Sequence, residues 1–175
     1  MAQQERISAQ LSRCIGATPD SAALAKVQSP NFDSPGGGST SVGSTAIIQA
    51  SAATVAGDLK AITAPKALHC LASQLSSTLQ AALAGKATLL SLHGSKIQSV
   101  VSGSDGTFAF RFAFVLAVKQ GTTTVKLPAY GDFVGFAWGQ AEVSLSIESE
   151  FSPPSTALER QLAARLLERA RAAIG

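Results

Sequence analysis

The sequence predicts an α+β fold: an antiparallel sheet of about five strands packed with helices, in the order α-β-α-α-β-β-β-β-α, as a single domain over residues 1–175. Three observations predict it. The stretch T-F-A-F-R-F-A-F-V-L-A-V, Thr107 to Val118, places Phe108, Phe110, Phe112, Phe114, Leu116 and Val118 on every second residue. In a strand all six project from one side, and Ala109, Arg111, Ala113, Val115 and Ala117 form a thin opposite face. Leu68, Leu71, Leu75, Leu79 and Leu83 recur at helical spacing. After Gly85, runs rich in β-branched and aromatic residues alternate with glycine turns, the pattern of a meander.

Residues Gln4 to Ile15 read as a short amphipathic helix with Ile7, Leu11, Cys14 and Ile15 on its apolar stripe and Gly16 as its stop. Residues 17–44 lose periodicity and are rich in Pro, Gly and Ser, from Pro19 through Pro30 and Pro35 to Gly38, which reads as a long loop. Within it, Phe32 of S-P-N-F-D-S-P is either plain loop or a surface anchor. Val42 to Ala50 reads as a strand. Ser51 is placed to cap a helix to Ile62 in which Val55, Leu59 and Ile62 share a face. Thr63 is a possible cap of the leucine helix, with Pro65 in its first turn and Cys70 flanking the stripe.

The meander is expected to open with two pieces, Ala87–Leu92 and Lys96–Val101, separated by a bend or bulge at Gly94. The phenylalanine strand, a return strand from Thr123 to Trp138 and a last strand follow, with Pro128 at an edge, a bulge or an interruption. In the last strand Val143, Leu145 and Ile147 alternate with Glu142, Ser144, Ser146 and Glu148, so part of one sheet face is expected to be wet. T-A-L-E, Thr156 to Glu159, has capping-box spacing and starts a helix with Leu158, Leu162, Leu166 and Ala173 on one side. Arg165, Arg169 and Arg171 read as its solvated basic face. Because four amphipathic helices must bury their stripes, the phenylalanine row is expected to be their floor.

Composition bounds the function. Hydrophobic residues make up 46% and charged ones 14%, and mean hydropathy is slightly positive at +0.23. No apolar run approaches the roughly eighteen residues of a membrane span, so no transmembrane segment is expected in this chain. Ser, Thr, Gln and Gly must cover the surface, a balance common in exported proteins. The net charge of +3 comes largely from single scattered lysines, without the focused basic patch that nucleic acid requires, so no nucleic-acid partner is expected. The opening M-A-Q-Q-E-R is polar. The chain is therefore expected to be either cytoplasmic or the part of an exported protein left after a signal or lipid-anchor segment is removed.

Candidate chemistry is sparse. Cys14 and Cys70 are either two buried reduced thiols or one disulfide, and an exported compartment favours the bridge. They lack the ligand number of a zinc site with only His69 and His93 to join them, so no metal is expected. Neither histidine sits in a nucleophile elbow; L-H-G-S around His93 reads as a strand bend. G-G-G at Gly36 does not make a phosphate loop, and no cofactor and no catalytic residue is expected. Arg111, on the thin face of a central strand, is either salt-bridged or snorkelling, or an anion anchor at a pocket floor. Asp132, in Y-G-D-F, lies beside the expected interruption. Arg111, Phe32, Asp132 and Tyr130 are thus the candidate ligand-binding residues.

A helix with Cys14, an S-P-x-F loop at Ser29–Phe32, a strand, two helices of which the second carries Cys70, a meander with D-F-V-x-F-x-x-G-x-A over Asp132–Ala141, and a closing helix are together a recognisable arrangement. It resembles a group of exported actinobacterial lipoproteins and extracellular sensor domains of membrane serine/threonine kinases. The resemblance implies an α/β/α sandwich of the Mog1/PsbP type, a cell-envelope location, a helix-to-helix disulfide between Cys14 and Cys70, and a ligand cleft. The expected function is a non-enzymatic, exported envelope domain, lipoprotein- or sensor-like, binding an unknown small molecule or envelope protein. Its cleft would lie between the sheet's open face and the 17–44 loop. The alternatives are a small enzyme or hydrophobic-ligand carrier with an aromatic pocket at the phenylalanine strand, and a structural or assembly module.

Overall fold

The computed structural model describes residues 2–34, 40–98 and 101–174. Helix α1 (Ala2–Ile15) ends at Gly16, whose φ of 84° is the left-handed stop that only glycine adopts freely. After a 3-10 turn at Asp20–Ala22 come β1 (Ala25–Gln28), β2 (Phe32–Asp33) and β3 (Thr40–Ile48). Helices α2 (Ala52–Thr63) and α3 (Pro65–Leu83) lead to β4 (Ala87–Lys96), β5 (Gly106–Gln120), β6 (Thr123–Trp138) and β7 (Ala141–Glu150), and α4 (Thr156–Ile174) closes the chain. The mixed α+β class is as expected.

All strand pairs are antiparallel, in the order β1-β3-β7-β6-β5-β4, with β2 also on β3. Among the described residues the sheet has seven strands rather than about five. The two extra ones form inside the segment read as loop, because the outer edge of β3 offers unpaired backbone groups that Ala25–Gln28 and Phe32–Asp33 satisfy. All four β1 residues and both β2 residues are exposed, so no burial period marked them. Pro35 to Gly38 of that loop, and Ser99 and Val100, lie outside the described residues.

The long register of β3 with β7, Thr40↔Ser149 through Ile48↔Ala141, sets the architecture. It leaves β3 at one side of the meander, so α2 and α3 must carry the chain across a whole sheet face to β4 at the far edge. That face is the phenylalanine face. Phe110 and Phe112 are buried with Ile15, Ile62, Ala67 and Cys70, and Phe108 packs against the same group. On the opposite face α4 covers Val134, Leu145 and Ile147 through Leu162 and Leu166. It covers Phe136, Ala141 and Val143 through Ala163, Leu167 and Ala170. Helices therefore lie on both faces, and the phenylalanine row is core.

Several local expectations are corrected. β4 runs unbroken to Lys96, with its register shift between Leu89 and Ser91; Gly94 stays in the ladder opposite Phe112, and His93 opposite Ala113. Ile97 and Gln98 lie past the strand. Pro128 does not interrupt β6. It pairs with Val115, beyond the last β7 partner, and its carbonyl accepts from Phe151 N on the β7 side. A strand residue's N–H points the same way as its C=O, so the missing donor is not taken from the β5 ladder.

Ser51 caps α2 as expected, accepting from Thr54 N. Thr63, by contrast, is the last residue of α2, its hydroxyl donating to the Leu59 and Lys60 carbonyls, and Ala64 precedes Pro65 at the start of α3. Thr156 is the first residue of α4, and Glu159 turns inward instead of back to a cap. The buried stripe of α4 is Glu159, Ala163, Leu167 and Ala170, one position round from the predicted leucines, because small residues let the helix approach the sheet. Arg171 is not simply solvated: it lies 4.8 Å above the Trp138 ring and donates to Gly103 O, tying the end of α4 to the turn before β5.

Cys14 and Cys70 form a disulfide that joins α1 to α3, with Cα atoms 5.9 Å apart. Cys70 is buried, whereas Cys14 is exposed beside its helix's stripe rather than within it. With a sequence separation of 56, the bridge restricts a long loop of the unfolded chain. The chain-entropy model makes that worth ~4 kcal/mol. Reduction, or Cys14→Ser with Cys70→Ser, is expected to lower the urea midpoint by that order; an unchanged midpoint under reducing conditions would show that α1 is held by packing alone.

Candidate functional site

A cavity of about 340 Å³ lies on the phenylalanine face, between α1, α2 and the β3–β7 side of the sheet. Its position follows from a change along the sheet. Under α3, β5 offers large aromatic side chains that fill the space; toward β7 the same face carries Glu142 and Ser144, and on β3 it carries Thr45 and Ile47. These shorter or polar side chains do not fill the gap beneath α1 and α2. Ile7, Leu11 and Ile15 of α1 and Val55, Leu59 and Ile62 of α2 form the apolar roof. Phe108 and Phe133, their rings 5.4 Å apart, wall off one side. Gly135 opposite Phe108 makes that wall possible, because a Cβ there would overlap the Phe108 ring.

Ala17, Thr18, Asp20 and Lys26 form the lip, so the start of the 17–44 segment borders the cavity, while α1 and α2, rather than that segment, cover it. The polar face of β7 is divided. Ser146 and Glu148 are exposed, whereas Glu142 and Ser144 are half-buried in the cavity.

A polar cluster borders this largely apolar space. Asp58 falls on the buried stripe of α2 with Val55 and Ile62, and is 8% exposed. One of its oxygens, Oδ1, accepts from Thr18 N at 2.6 Å. The Glu142 carboxyl is within hydrogen-bonding reach of both Asp58 and Gln49, and Gln49, just past β3, is 2% exposed. Asp58 Oδ2, Glu142 Oε1 and Gln49 Oε1 are buried without a hydrogen-bond partner among the described residues. Unpartnered buried oxygens are costly. Burial first, and then the neighbouring Asp58 carboxylate, push the Glu142 carboxyl from 4.5 up to about 7. A proton held between the two carboxyls relieves their repulsion, and a cation would do the same.

The four residues singled out from the sequence lie elsewhere. Arg111 and Asp132 are register partners on β5 and β6, on the α4 face. Arg111 donates to Asp132 through Nε at 2.8 Å and Nη2 at 2.5 Å; Nη2 also reaches Glu159 Oε1 and Pro154 O, each at 3.2 Å. This is the salt-bridged reading of Arg111. The hydrogen bonds that it donates to Asp132 hold the Arg111 guanidinium above its ordinary pKa. Burial first, and then the neighbouring Asp132 carboxyl, raise the Glu159 carboxyl above its ordinary value, and the shared Arg111 offsets this only in part. Tyr130 is half-buried on the same strand, and Phe32 is 61% exposed on the outer edge of the sheet. The structure joins Arg111 to Asp132 and brings neither Phe32 nor either of these to the cavity.

The residues of the polar cluster had weaker signals. Asp58 interrupts the Val55–Ile62 stripe at helical spacing, a readable anomaly, whereas Glu142 looked like any residue on a wet strand face and Gln49 carried no signal. Among the described residues no cluster of three or more His, Cys, Asp or Glu could hold a metal ion, and no helix is long and apolar enough to cross a membrane.

Two outcomes are expected. Glu142 has a folded-state pKa above its ordinary value, so its contribution to stability is full below about pH 4.5 and is lost as pH rises through about 7. Glu142→Gln should therefore be more stable than the parent at pH 8, on the order of 2 kcal/mol, and gain nothing at pH 4.5; urea titrations at both pH values check this. Arg111→Ala strands Asp132 and Glu159 as buried carboxylates and should cost about 3–5 kcal/mol at neutral pH, read from the urea midpoint. Compared with protein-family models and with curated proteins, the chain matches none.

Proposed function

We propose that the chain is a non-enzymatic, exported domain of the cell envelope, lipoprotein- or sensor-like, that binds a small molecule in the cavity beneath α1 and α2. The observation that carries this reading is the cavity itself: about 340 Å³ of mostly apolar lining, with the Asp58 and Glu142 side chains on its wall. A packed core has no use for that combination, whereas a binding site combines apolar walls with a few convergent polar groups. The Cys14–Cys70 bridge supports an oxidising compartment, since such bonds are rare in reducing ones. It also bolts the roof helix α1 to α3, which favours a preformed site. The sequence resemblance to exported lipoproteins and sensor domains points the same way.

A hydrophobic-ligand carrier is the second reading, favoured by Phe108 and Phe133 on the wall. The two readings share one test. An environment-sensitive naphthalene dye should brighten on binding the folded, oxidised protein. Ser144→Phe, which projects a ring from β7 into the cavity, should abolish the effect and leave the melting temperature within a few degrees. Equal brightening by the parent and the variant would sink the cavity as the binding site.

A further inference from the structure

We propose that Asp58 and Glu142 form a proton-operated clasp between α2 and β7 that gates the cavity at its lip, closed in acid and open above neutrality. This control of entry rests on the reading of the cavity as a binding site. The two carboxyls lie within hydrogen-bonding reach of each other, one on a roof helix and one on the sheet floor. Asp58 Oδ2 and Glu142 Oε1 are buried, with no donor for either among the described residues. Ionised carboxylates only accept, so the contact needs a proton of its own. One shared proton supplies it and ties α2 to β7. Through Oδ1, Asp58 also accepts from Thr18 N at 2.6 Å, so the same side chain holds the lip.

The surroundings make that proton the controlling element. Besides the pair, the charged residues lining the cavity are Asp20 from the 3-10 turn and Lys26 from β1. The lining residues of α1, α3, β3, β5 and β6 are uncharged, and neither His69 nor His93 is among them. Lys26 is paired with Asp20, and Asp20 acts on Glu142 as a further negative charge. When the shared proton leaves, attraction gives way to repulsion and the ionised pair must reach water. Of the elements around it, α2 is anchored by Val55 and Ile62, 2% and 8% exposed, and β7 lies between β3 and β6. No residue from Ala17 to Leu24 is buried, and Thr18 is otherwise tied to its neighbours by Ser12 Oγ donating to its carbonyl at 3.4 Å. The lip is the part that yields.

The working range follows from the closed pair. Burial first, and then Asp58, push the Glu142 carboxyl up to about 7. The closed form therefore holds the proton more tightly than an open, hydrated form with an ordinary carboxyl. Raising the pH from 5.5 to 8 favours opening on the order of tenfold.

The test measures amide hydrogen exchange and the association rate of an uncharged naphthalene dye, at pH 5.5 and pH 8, on the oxidised full chain. After correction for the intrinsic pH dependence of exchange, the Thr18 amide should lose about tenfold in protection at pH 8, and the dye should enter about tenfold faster. Low urea should leave Thr18 exchange unchanged while speeding that of Phe110 in the sheet, which marks a local opening rather than global unfolding. Glu142→Gln keeps a donor for Asp58 without a titrating proton, and Asp58→Asn keeps the acceptor for Thr18 and offers a donor to Glu142. Both variants should hold protection and entry rate at their pH 5.5 values up to pH 8. Readouts that ignore pH in the parent, that change equally in both variants, or Thr18 exchange as urea-sensitive as that of Phe110 would overturn the clasp and leave the cavity reading standing. Lost Thr18 protection with an unchanged entry rate would overturn the gating role. Absence of dye binding at both pH values would overturn the cavity reading and the gate together.

Discussion

Burial of the β5 phenylalanine row is the constraint on which the other features depend. Phe110 and Phe112 are 1% and 5% exposed, and each stabilises the fold by about 1.5–3 kcal/mol relative to an exposed ring. Three helices are recruited to one sheet face to achieve this, and the pairing of β3 with β7 requires two of them to cross it. The disulfide then holds α1 over the part of that face that α3 does not reach. Where the aromatic row gives way to Thr45, Ile47, Glu142 and Ser144, the helices span a gap. The cavity is thus the by-product of covering a sheet whose one face changes from bulky and apolar to small and polar.

The two carboxylate clusters show opposite solutions to the same electrostatic cost. On the α4 face, Asp132 and Glu159 are almost wholly buried but share Arg111, which also accommodates the chain at Pro154. Their charge is compensated within the fold, and the cluster fastens the start of α4 to β5 and β6. On the cavity face, Asp58 and Glu142 have Gln49 and a backbone amide for company, and the lysine that lines the same cavity, Lys26, is paired with Asp20. A carboxylate pair not compensated as Asp132 and Glu159 are, beside a cavity of about 340 Å³, supports the binding role proposed above. Apolar packing alone would have served the fold better at both positions.

Sequence reading found much of this and missed the rest for identifiable reasons. Period-two and helical spacing located β5, β7, α1 and α3, and Ser51 marked the start of α2, because those signals are local. Arg111 was recognised as anomalous, a charge on a central strand, but spacing could not say that Asp132 and Glu159 would meet it. The short strands β1 and β2 were invisible because they are stabilised by the backbone of β3 and bury little side chain. Asp58 was legible as a charge on an apolar stripe. Glu142 was not, because a strand face looks wet until something is known to cover it.

By itself the sequence determined the class of the fold, the aromatic core strand, most helix positions and the low surface charge, since each depends on which side chains share a face. Tertiary structure alone decided which faces meet. It brought Asp58 to Glu142 across 84 positions of chain, fastened Arg111 to α4, and moved the candidate site from the thin face of β5 to the other side of the sheet. Periodicity specifies where a side chain points; only packing specifies what stands opposite it.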